Sequence, residues 1–378
     1  MRIALVAHHA RPTGGQDRYV LELARGLAAR HEVHVLTVRA EGLDGTGVVV
    51  HQLGIRDRPV LWLAPEFARR AARTANGAGF DIIHGIGGAL PGATVITAQY
   101  CHAAWHEARD RYRVREGSAL MAWYQRRVGA QAVAFERRAY DHPALRRVIA
   151  VSFGTAAEIT RHYAVPADRI TVVPNGVDPA AFDRARYPTA RAALRAELRL
   201  ATDAPVALLV GTYARKGLET AIAAVARASK TLHLVVAGAG SDRDARRWAG
   251  AAGIAHRLHL LGPRLDVARL YAAADLFVLP TRYEPFGMVI TEAMASGLPV
   301  VVSACAGAAD LIRHGESGFV VETAGDADGF AAAIRAVLAD PVSAAGIGAA
   351  ARAAILTTAW PAIVARTEAV YAGAVGAA

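Results

Sequence analysis

Short apolar segments alternate with helical patterns along the whole chain. The first segment, residues 3–7, is followed by a turn with two glycines and by a helical pattern that carries Val20, Leu23 and Leu27. Strands that are apolar throughout and alternate with helices are typical of a parallel sheet covered by helices on both faces. The same pattern predicts further strands at 33–36, 48–50, 81–84, 93–97 and 147–151.

The alternation is interrupted at residues 174–178, Pro-Asn-Gly-Val-Asp, and then begins again. Proline and glycine break strands and helices alike, so this segment is a candidate hinge. The second half predicts strands at 207–210, 232–237, 258–261, 276–279 and 299–302, and helices after Pro341 and after the break at Trp360-Pro361. A chain of 378 residues is long enough for two domains. We therefore expect an α/β protein with two Rossmann-like, doubly wound parallel-sheet domains. Ligands of such sheets bind beyond the carboxyl ends of the strands, which predicts a cleft where the two domains face each other.

Composition excludes several classes of protein. With 53% hydrophobic and 20% charged residues, the chain can bury a core, which disfavours intrinsic disorder. Cys101 and Cys305 are its two cysteines, and they form neither a disulfide framework nor a C-x-x-C site. The sequence contains no run of about 18 to 20 apolar residues, and its first apolar run is too short for a signal peptide. We expect a cytoplasmic protein.

The most specific motif is a pair of glutamates, Glu284 and Glu292, with seven residues between them. It follows a predicted strand and leads into a helix that we expect to begin near Phe286 or Gly287. The N–H groups and the dipole at the start of such a helix favour phosphate or sugar oxygens. The two carboxylates could then reach separate parts of one extended ligand. Taken singly, Glu284 could be a charge at the helix N-terminus and Glu292 a solvated helix residue. These structural interpretations do not account for the whole sequence of residues 284–300.

Two cations follow the first strand of the second half. Arg215 and Lys216 come shortly after Gly211, at the end of the strand where an anion is expected to bind. Lys216 is conspicuous because 43 residues are basic and the only lysines among them are Lys216 and Lys230. Such a pair suits a diphosphate leaving group, whose charge it would stabilise. A surface turn is the alternative interpretation.

The first half carries weaker signals. Gly14 and Gly15 precede a helix with Arg18, and glycines there let backbone N–H groups approach a ligand. The spacing of these glycines does not match the G-x-G-x-x-G motif, which argues against a binding site for a nicotinamide dinucleotide. His102 follows the strand predicted at 93–97, and a structural loop histidine is its alternative interpretation. Its neighbours Gln99, Tyr100, Trp105 and His106 are candidates for lining an acceptor pocket.

Taken in order, these motifs resemble those of the retaining GT-B glycosyltransferases, specifically family 4, the group 1 glycosyltransferases. The resemblance covers essentially the whole chain. It rests on Gly14-Gly15 with Arg18, residues 148–152, 172–178, Gly211 with 215–217, 261–262, 272–275 and the run from Glu284 to Glu292. Residues 134–137 and the segment running to Asp178 are similar to lipopolysaccharide-core glucosyltransferases.

The resemblance implies a role for each motif. Glu292 would bind the ribose hydroxyls of a nucleotide, Glu284 the hydroxyls of the donor sugar, and Arg215 with Lys216 the pyrophosphate. His102 would lie near the reacting carbon and act in catalysis with Arg215, Lys216 and Glu284. The other implied donor-binding residues are Gly15, Gly211, Arg264, Phe286, Gly287, Met288 and Val289, with Arg264 beside the nucleobase. The implied acceptor-side residues are Gly14, Arg18, Tyr100 and Trp105.

It also implies an architecture and a reaction. Residues 1–178 would bind the acceptor, 179–359 the nucleotide-sugar donor, and the helix 360–378 would pack back onto the first domain. A hexose, UDP-glucose being the expected type of donor, would pass with retention to a hydroxyl of a glycan, glycolipid or small natural product, without cofactor or metal. Hinge closure would exclude water. The alternatives are a catalytically silent GT-B protein that binds nucleotide sugars or acts as a scaffold, and a GT-B epimerase or phosphorylase.

The positive charge of the chain is concentrated in one segment. The formal net charge is +10, and residues 105–147 hold ten arginines against five acidic residues. This excess suits an anionic acceptor or the acidic inner face of a membrane, with which the protein would associate peripherally. Solvated helix faces whose arginine stems cover the core are an equally good interpretation. Nucleic acid is disfavoured because no recognition motif or pattern of stacking aromatic residues accompanies the charge.

Overall fold

The structure is a computed structural model that describes residues 1–56, 59–87, 90–112 and 119–376. The chain divides into two compact units, each built on a parallel sheet. Of the described residues, the first unit comprises those up to Glu107, residues 119–176 and those from Trp360 onward; the second comprises Val177–Ala359 and residues 108–112. The predicted α/β architecture with two Rossmann-like parallel sheets is confirmed.

The first unit alternates strands and helices from its first residues. Its elements are β1 (Arg2–Val6), β2 (His9–Ala10), α1 (Gly15–Ala28), β3 (Glu32–Thr37), β4 (Arg39–Ala40), β5 (Val49–Gln52), α2 (Val60–Ala75), β6 (Ile82–Ile86), β7 (Val95–Ala98), α3 (His102–Arg111), α4 (Ala119–Tyr140), β8 (Arg147–Ala150), α5 (Phe153–Tyr163) and β9 (Ile170–Val172). The main sheet has the order β5-β3-β1-β6-β7-β8-β9, and β2 pairs with β4 separately. In β1, Leu5 lies opposite Val35 on one side and His84 on the other. β1 is therefore an interior strand, and Ile3 to Val6 are fully buried, so both of its faces are covered, as its unbroken apolar sequence predicts.

The second unit repeats this design with a smaller sheet. Its elements are α6 (Ala190–Glu197), β10 (Val206–Val210), α7 (Leu218–Ala228), β11 (His233–Ala237), α8 (Asp242–Ala251), β12 (Leu258–Gly262), α9 (Val267–Ala273), β13 (Leu276–Leu279), α10 (Met288–Ala295), β14 (Val300–Ser303), β15 (Phe319–Val321), α11 (Ala327–Leu338) and α12 (Pro341–Ile355). The strand order is β12-β11-β10-β13-β14-β15, with every pair parallel. This order places β10 beside β13, the two strands that precede the sequence motifs of this half.

The last helix, α13 (Trp360–Val375), belongs to the first unit. Ile363, Val364 and Tyr371 are buried in the core that surrounds β1. The Tyr371 hydroxyl lies 2.6 Å from Nδ1 of His84, whose Nε2 lies 2.7 Å from Oγ1 of Thr97. Burial lowers the pKa of His84 to about 3, so this buried histidine is neutral. The predicted break at Trp360-Pro361 is the first turn of α13, where proline is compatible with a helix.

Most predicted strands agree with the structure to within one or two residues, but some elements escape the pattern. The edge strands β9 and β15 have three residues each and are only partly buried, so they present no continuous apolar run. The pair β2 and β4 has two residues per strand. Strands this short carry too little periodicity to be recognised.

Within the described part of the chain, no single helix is both long and apolar enough to cross a membrane. Only α11 and α12 taken together pass that test, and they are bent by 106° at the break between them.

Candidate functional site

Two adjacent strands of the second unit, β10 and β13, end at the same edge of the sheet and carry the main loops of the site. The loop after β10 contains Arg215 and Lys216, and the loop after β13 contains Glu284. The loops are joined directly, because the backbone N–H of Arg282 donates to the Arg215 carbonyl at 2.9 Å. The hydroxyl of Thr281 donates to the same carbonyl at 3.2 Å. The sheet topology therefore brings together residues that lie almost 70 positions apart in sequence.

Glycines allow these loops to approach more closely than other residues could. Gly217, at φ 73°, precedes α7, and a Cβ atom there would lie 2.0 Å from the carbonyl oxygen of Pro280. A Cβ on Gly238 would lie 2.0 Å from the carbonyl oxygen of Gly211. Gly211 itself, at φ 129°, leaves room for the Lys216 stem, whose Cε would be 2.8 Å from an added Cβ. The Gly211 predicted as a donor residue thus also shapes the path of Lys216.

Lys216, Arg215 and Glu284 form a cluster at this edge, and one carboxylate oxygen serves both cations. The Lys216 ammonium donates to Oε2 of Glu284, and Nη1 of Arg215 donates to the same oxygen at 3.2 Å. The Lys216 side chain is 6% exposed and that of Glu284 is 12% exposed. No hydrogen bond to the other oxygen, Oε1, is seen among the described residues. This oxygen is therefore available to a ligand.

The electrostatics of the cluster keep Glu284 ionised. Burial alone would raise the pKa of its carboxyl group, but the charges of Lys216 and Arg215 outweigh that effect and lower the pKa. Burial also lowers the pKa of the Lys216 ammonium, while Glu284 opposes this shift. The charges of Lys216 and Glu284 thus depend on their partners in the cluster, because little water reaches either side chain.

The second glutamate of the motif lies on the helix that begins next to the cluster. α10 starts at Met288, after Gly287 at φ 100°, which agrees with the predicted start near residues 286–287. Glu292 is the fifth residue of this helix, is 4% exposed, and accepts a hydrogen bond from the Tyr271 hydroxyl at 3.0 Å. The N–H groups of the first residues of α10 have no acceptor within the helix. Of the predicted donor residues, Phe286 and Gly287 directly precede α10, and Met288 and Val289 are its first two residues, so all four lie between the two glutamates.

The structure places Arg264 in a different set of contacts. Its guanidinium binds Asp266 at 2.7 and 2.8 Å and Glu197 at 3.0 Å. These hydrogen bonds raise the pKa of Arg264. Among the described residues, no ion pair joins Arg264 to Glu284 or Glu292, so its assignment to the nucleobase stays a prediction.

The predicted acceptor-side residues lie in the first unit, in two groups. Gly14, at φ 86°, caps α1, and its carbonyl accepts a hydrogen bond from the Arg18 N–H at 3.1 Å; Gly15 begins the helix. The second group surrounds the start of α3. The Tyr100 ring lies 4.9 Å from the ring of His102 and 6.4 Å from that of Trp105. Nδ1 of His102 lies 2.7 Å from Oε1 of the buried Glu136.

Sequence reasoning missed two partners of these residues. Tyr271 binds Glu292, but within α9 it is indistinguishable from an ordinary core aromatic residue. The sequence places Glu136 among the five acidic residues of the arginine-rich segment and within residues 134–137 of the family resemblance, but it does not predict a contact with His102. Its position 34 residues after His102 gives no local signal, because the contact depends on how α4 folds back onto α3.

In the part of the chain that the structure describes, no group of three or more His, Cys, Asp or Glu side chains is arranged to hold a metal ion. The cations of the cluster are the groups that could bind an anionic ligand. Metal independence remains a prediction.

Two family models match the chain. The model described as Glycosyltransferase Family 4 matches residues 13–181, and that of Glycosyl transferases group 1 matches residues 190–354. The chain is 40% identical to LpsE, a lipopolysaccharide core biosynthesis glycosyltransferase of Rhizobium meliloti (strain 1021), over 148 residues. That match covers 39% of this chain and 43% of LpsE, less than half of either protein. A D-inositol 3-phosphate glycosyltransferase of Xylanimonas cellulosilytica is 30% identical over 99% of this chain and 97% of its own length.

Solved structures with the same fold cover nearly the whole chain. The crystal structure of WaaG, a glycosyltransferase involved in lipopolysaccharide biosynthesis, superposes with a TM-score of 0.78 at 23% identity, covering 98% of this chain and 100% of WaaG. The structure of HepE of Anabaena in complex with UDP-glucose superposes with a TM-score of 0.72 at 23% identity, covering 98% of this chain and 99% of HepE. These likenesses show the GT-B fold. Because the two models match successive halves and the Xylanimonas relative matches almost from end to end, the chain belongs to the group 1 glycosyltransferases, glycosyltransferase family 4.

Proposed function

We propose that the protein transfers a hexose from a nucleoside diphosphate sugar, of the UDP-glucose type, to an acceptor hydroxyl with retention of anomeric configuration. The observation that carries this proposal is the pair of cations, Arg215 and Lys216, that share one oxygen of Glu284 beside the start of α10. A diphosphate is a stronger counter-ion than one carboxylate oxygen and suits both cations and the N–H groups of the helix. HepE, which shares the fold, is known in complex with UDP-glucose.

Donor binding would then rearrange the cluster. The diphosphate takes Lys216 and Arg215 as counter-ions, and Glu284 turns its oxygens to hydroxyls of the sugar. Glu292, held by Tyr271, accepts hydrogen bonds from the ribose hydroxyls. Carboxylates bind vicinal hydroxyls through charge-assisted hydrogen bonds, so the two glutamates fix both ends of the donor.

In the transfer step, the bond between the anomeric carbon and the diphosphate oxygen breaks while the acceptor oxygen attacks from the same face. The leaving diphosphate takes the acceptor proton, which balances the charge without an enzymic nucleophile. Lys216 and Arg215 stabilise the negative charge that develops on the diphosphate, and this role requires no metal. The acceptor is a hydroxyl of a glycan, glycolipid or small natural product.

Calorimetric titration with sugar nucleotides tests the proposal. We expect saturable binding of at least one UDP-, ADP- or GDP-hexose, slow release of its nucleoside diphosphate in the absence of acceptor, and thermal stabilisation that follows mass action. Failure of every sugar nucleotide and every nucleoside diphosphate to bind would contradict the enzymatic proposal. Binding without any release or transfer would instead support the catalytically silent alternative.

We also propose that the protein binds peripherally to an anionic membrane through a surface of the first unit formed by α4 and α2. α4 exposes Leu120 (74%), Met121 (48%) and Trp123 (57%), and α2 exposes Trp62 (70%). The two helices are joined by a hydrogen bond of 2.9 Å from Gln131 to the carbonyl of Leu61. Exposed aromatic and apolar residues beside arginines are typical of helices that lie in a membrane interface. Arg113 and Arg115 of the arginine-rich segment lie outside the described residues.

We expect the protein to sediment with vesicles that contain phosphatidylglycerol and to remain in solution with pure phosphatidylcholine. A double variant, Leu120→Ser with Trp123→Ser, should lose most of this binding because it removes the apolar contact while leaving the charge unchanged. Leu265→Ser is the matched control, since Leu265 is 88% exposed in the second unit. Equal sedimentation of wild type and the double variant would exclude α4 as the membrane contact.

A further inference from the structure

Glu136 is a buried carboxylate near the end of α4, a helix of the arginine-rich segment, and hydrogen-bond donors surround it. Its side chain is 2% exposed. Oε1 lies 2.7 Å from Nδ1 of His102, and Oε2 accepts the backbone N–H of His102 at 3.0 Å and the hydroxyl of Tyr163. A carboxylate withdrawn from water is costly unless donors compensate it, and here three donors from two other helices do so.

The donors come from the ends of α3 and α5. His102 is the first residue of α3, so its N–H has no acceptor within the helix, and a carboxylate is favourable at that end of the dipole. Tyr163 is the last residue of α5. Burial, together with the charge of Glu136, raises the pKa of the Tyr163 hydroxyl, which therefore keeps its proton and donates. Burial likewise raises the pKa of the neighbouring Cys101 thiol to about 12, so this thiol also keeps its proton at neutral pH.

The carboxylate determines which ring nitrogen of His102 carries the hydrogen. A carboxylate accepts but does not donate, so Nδ1 of a neutral His102 must be protonated to satisfy the 2.7 Å contact. The unprotonated nitrogen is then Nε2. The His102 side chain is 32% exposed and lies against the Tyr100 ring. Within the described residues, no hydrogen bond is seen to Nε2, which leaves its lone pair accessible.

We propose that Glu136 is a positioning residue that holds His102 as the Nδ1–H tautomer, so that Nε2 accepts a hydrogen bond from a substrate hydroxyl. The assignment of a substrate to His102 rests on the proposed function; the tautomer does not. Carboxylates that orient a histidine from behind are common where the front nitrogen must act as an acceptor. Glu136 acts through His102 and need not touch a substrate itself.

The tautomer can be read without any turnover. In protein labelled with ¹⁵N-histidine, long-range proton–nitrogen correlation at mildly alkaline pH should show His102 with a protonated Nδ1 and an unprotonated Nε2, the signals being assigned by their loss in His102→Gln. Glu136→Gln should change this pattern, because the amide can donate to Nδ1 and permit the Nε2–H form. Tyr163→Phe is the matched control: it removes one donor to Glu136 and should leave the tautomer unchanged. An Nε2–H tautomer in the wild-type protein would overturn the proposal. Because this measurement is made on the wild type, it does not depend on whether the variants fold.

Activity supplies an independent readout. We expect Glu136→Gln to lower kcat at least about tenfold with little change in KM for the donor, and the Glu136→Gln, His102→Gln double variant to be no slower than His102→Gln alone. If donor hydrolysis and transfer both fall, the hydroxyl belongs to the donor sugar; if only transfer falls, it belongs to the acceptor. Unchanged rates, or losses that add fully in the double variant, would overturn the positioning role.

Discussion

Replacing Lys216 by methionine is expected to lower kcat/KM for the donor by about 10²-fold to 10³-fold and to leave the fold nearly unchanged. In the proposed mechanism, the Lys216 ammonium is one of the two cations that stabilise the departing diphosphate. Its stem is packed against Gly211, and methionine can occupy the same path. Glu284 keeps a counter-ion in the variant because Nη1 of Arg215 lies 3.2 Å from its Oε2.

The measurement is steady-state transfer or donor hydrolysis alongside thermal denaturation. We expect the melting temperature to change by less than about 4 °C, the shift that roughly 1 kcal/mol produces in a domain of this size. Lys230→Met is the matched control, since Lys230 is the other lysine of the chain and is exposed. Near-normal turnover in Lys216→Met would refute the leaving-group role of Lys216.

Glu284→Gln is expected to separate nucleotide binding from catalysis. The substitution removes the hydrogen-bonded counter-ion of a lysine whose side chain is 6% exposed, which we expect to lower the free energy of unfolding by about 3 kcal/mol. The same change should increase the affinity for UDP about tenfold or more, because the diphosphate no longer competes with a carboxylate for Lys216 and Arg215. Transfer should fall sharply, because the charged acceptor for the sugar hydroxyls is lost.

Calorimetry with UDP, together with denaturation with and without UDP, measures these effects. UDP should restore the stability of Glu284→Gln by more than it stabilises the wild type, in accordance with mass action. Glu316→Gln is a suitable control, since Glu316 is an exposed glutamate in the same unit with a 3.7 Å ion pair to Arg313. Equal UDP affinity in wild type and Glu284→Gln would show that Glu284 and the diphosphate do not share these cations.

The fold and the donor cluster were largely predictable because both depend on patterns that the sequence displays locally. An apolar strand such as β13 is recognisable by itself, and the order of strands and helices restricts the topology to parallel sheets. The motif residues Arg215 and Glu284 follow neighbouring strands at the same sheet edge, which brings them together. The roles of these residues are implied by the resemblance to a family. The geometry is compatible with those roles but does not test them.

What the sequence did not reveal depends on packing between distant segments. Glu136 meets His102 only because α4 returns to the start of α3, and Tyr271 meets Glu292 only because α9 packs beside α10. The contacts of Arg264 with Asp266 and Glu197 were likewise not predicted, and its assignment to a nucleobase, which the family resemblance implies, stays a prediction. The competition of nearby carboxylates for an arginine leaves no periodic signal in sequence.

A crystal structure of the protein with UDP would test the central claim most directly. We predict the β-phosphate within hydrogen-bond distance of the Lys216 ammonium and of the N–H groups at the start of α10, with Glu284 released from Lys216. The ribose hydroxyls should lie on Glu292, which keeps its hydrogen bond to Tyr271. A nucleotide bound elsewhere, with the Lys216–Glu284 pair intact, would contradict the assignment of this cluster as the donor site.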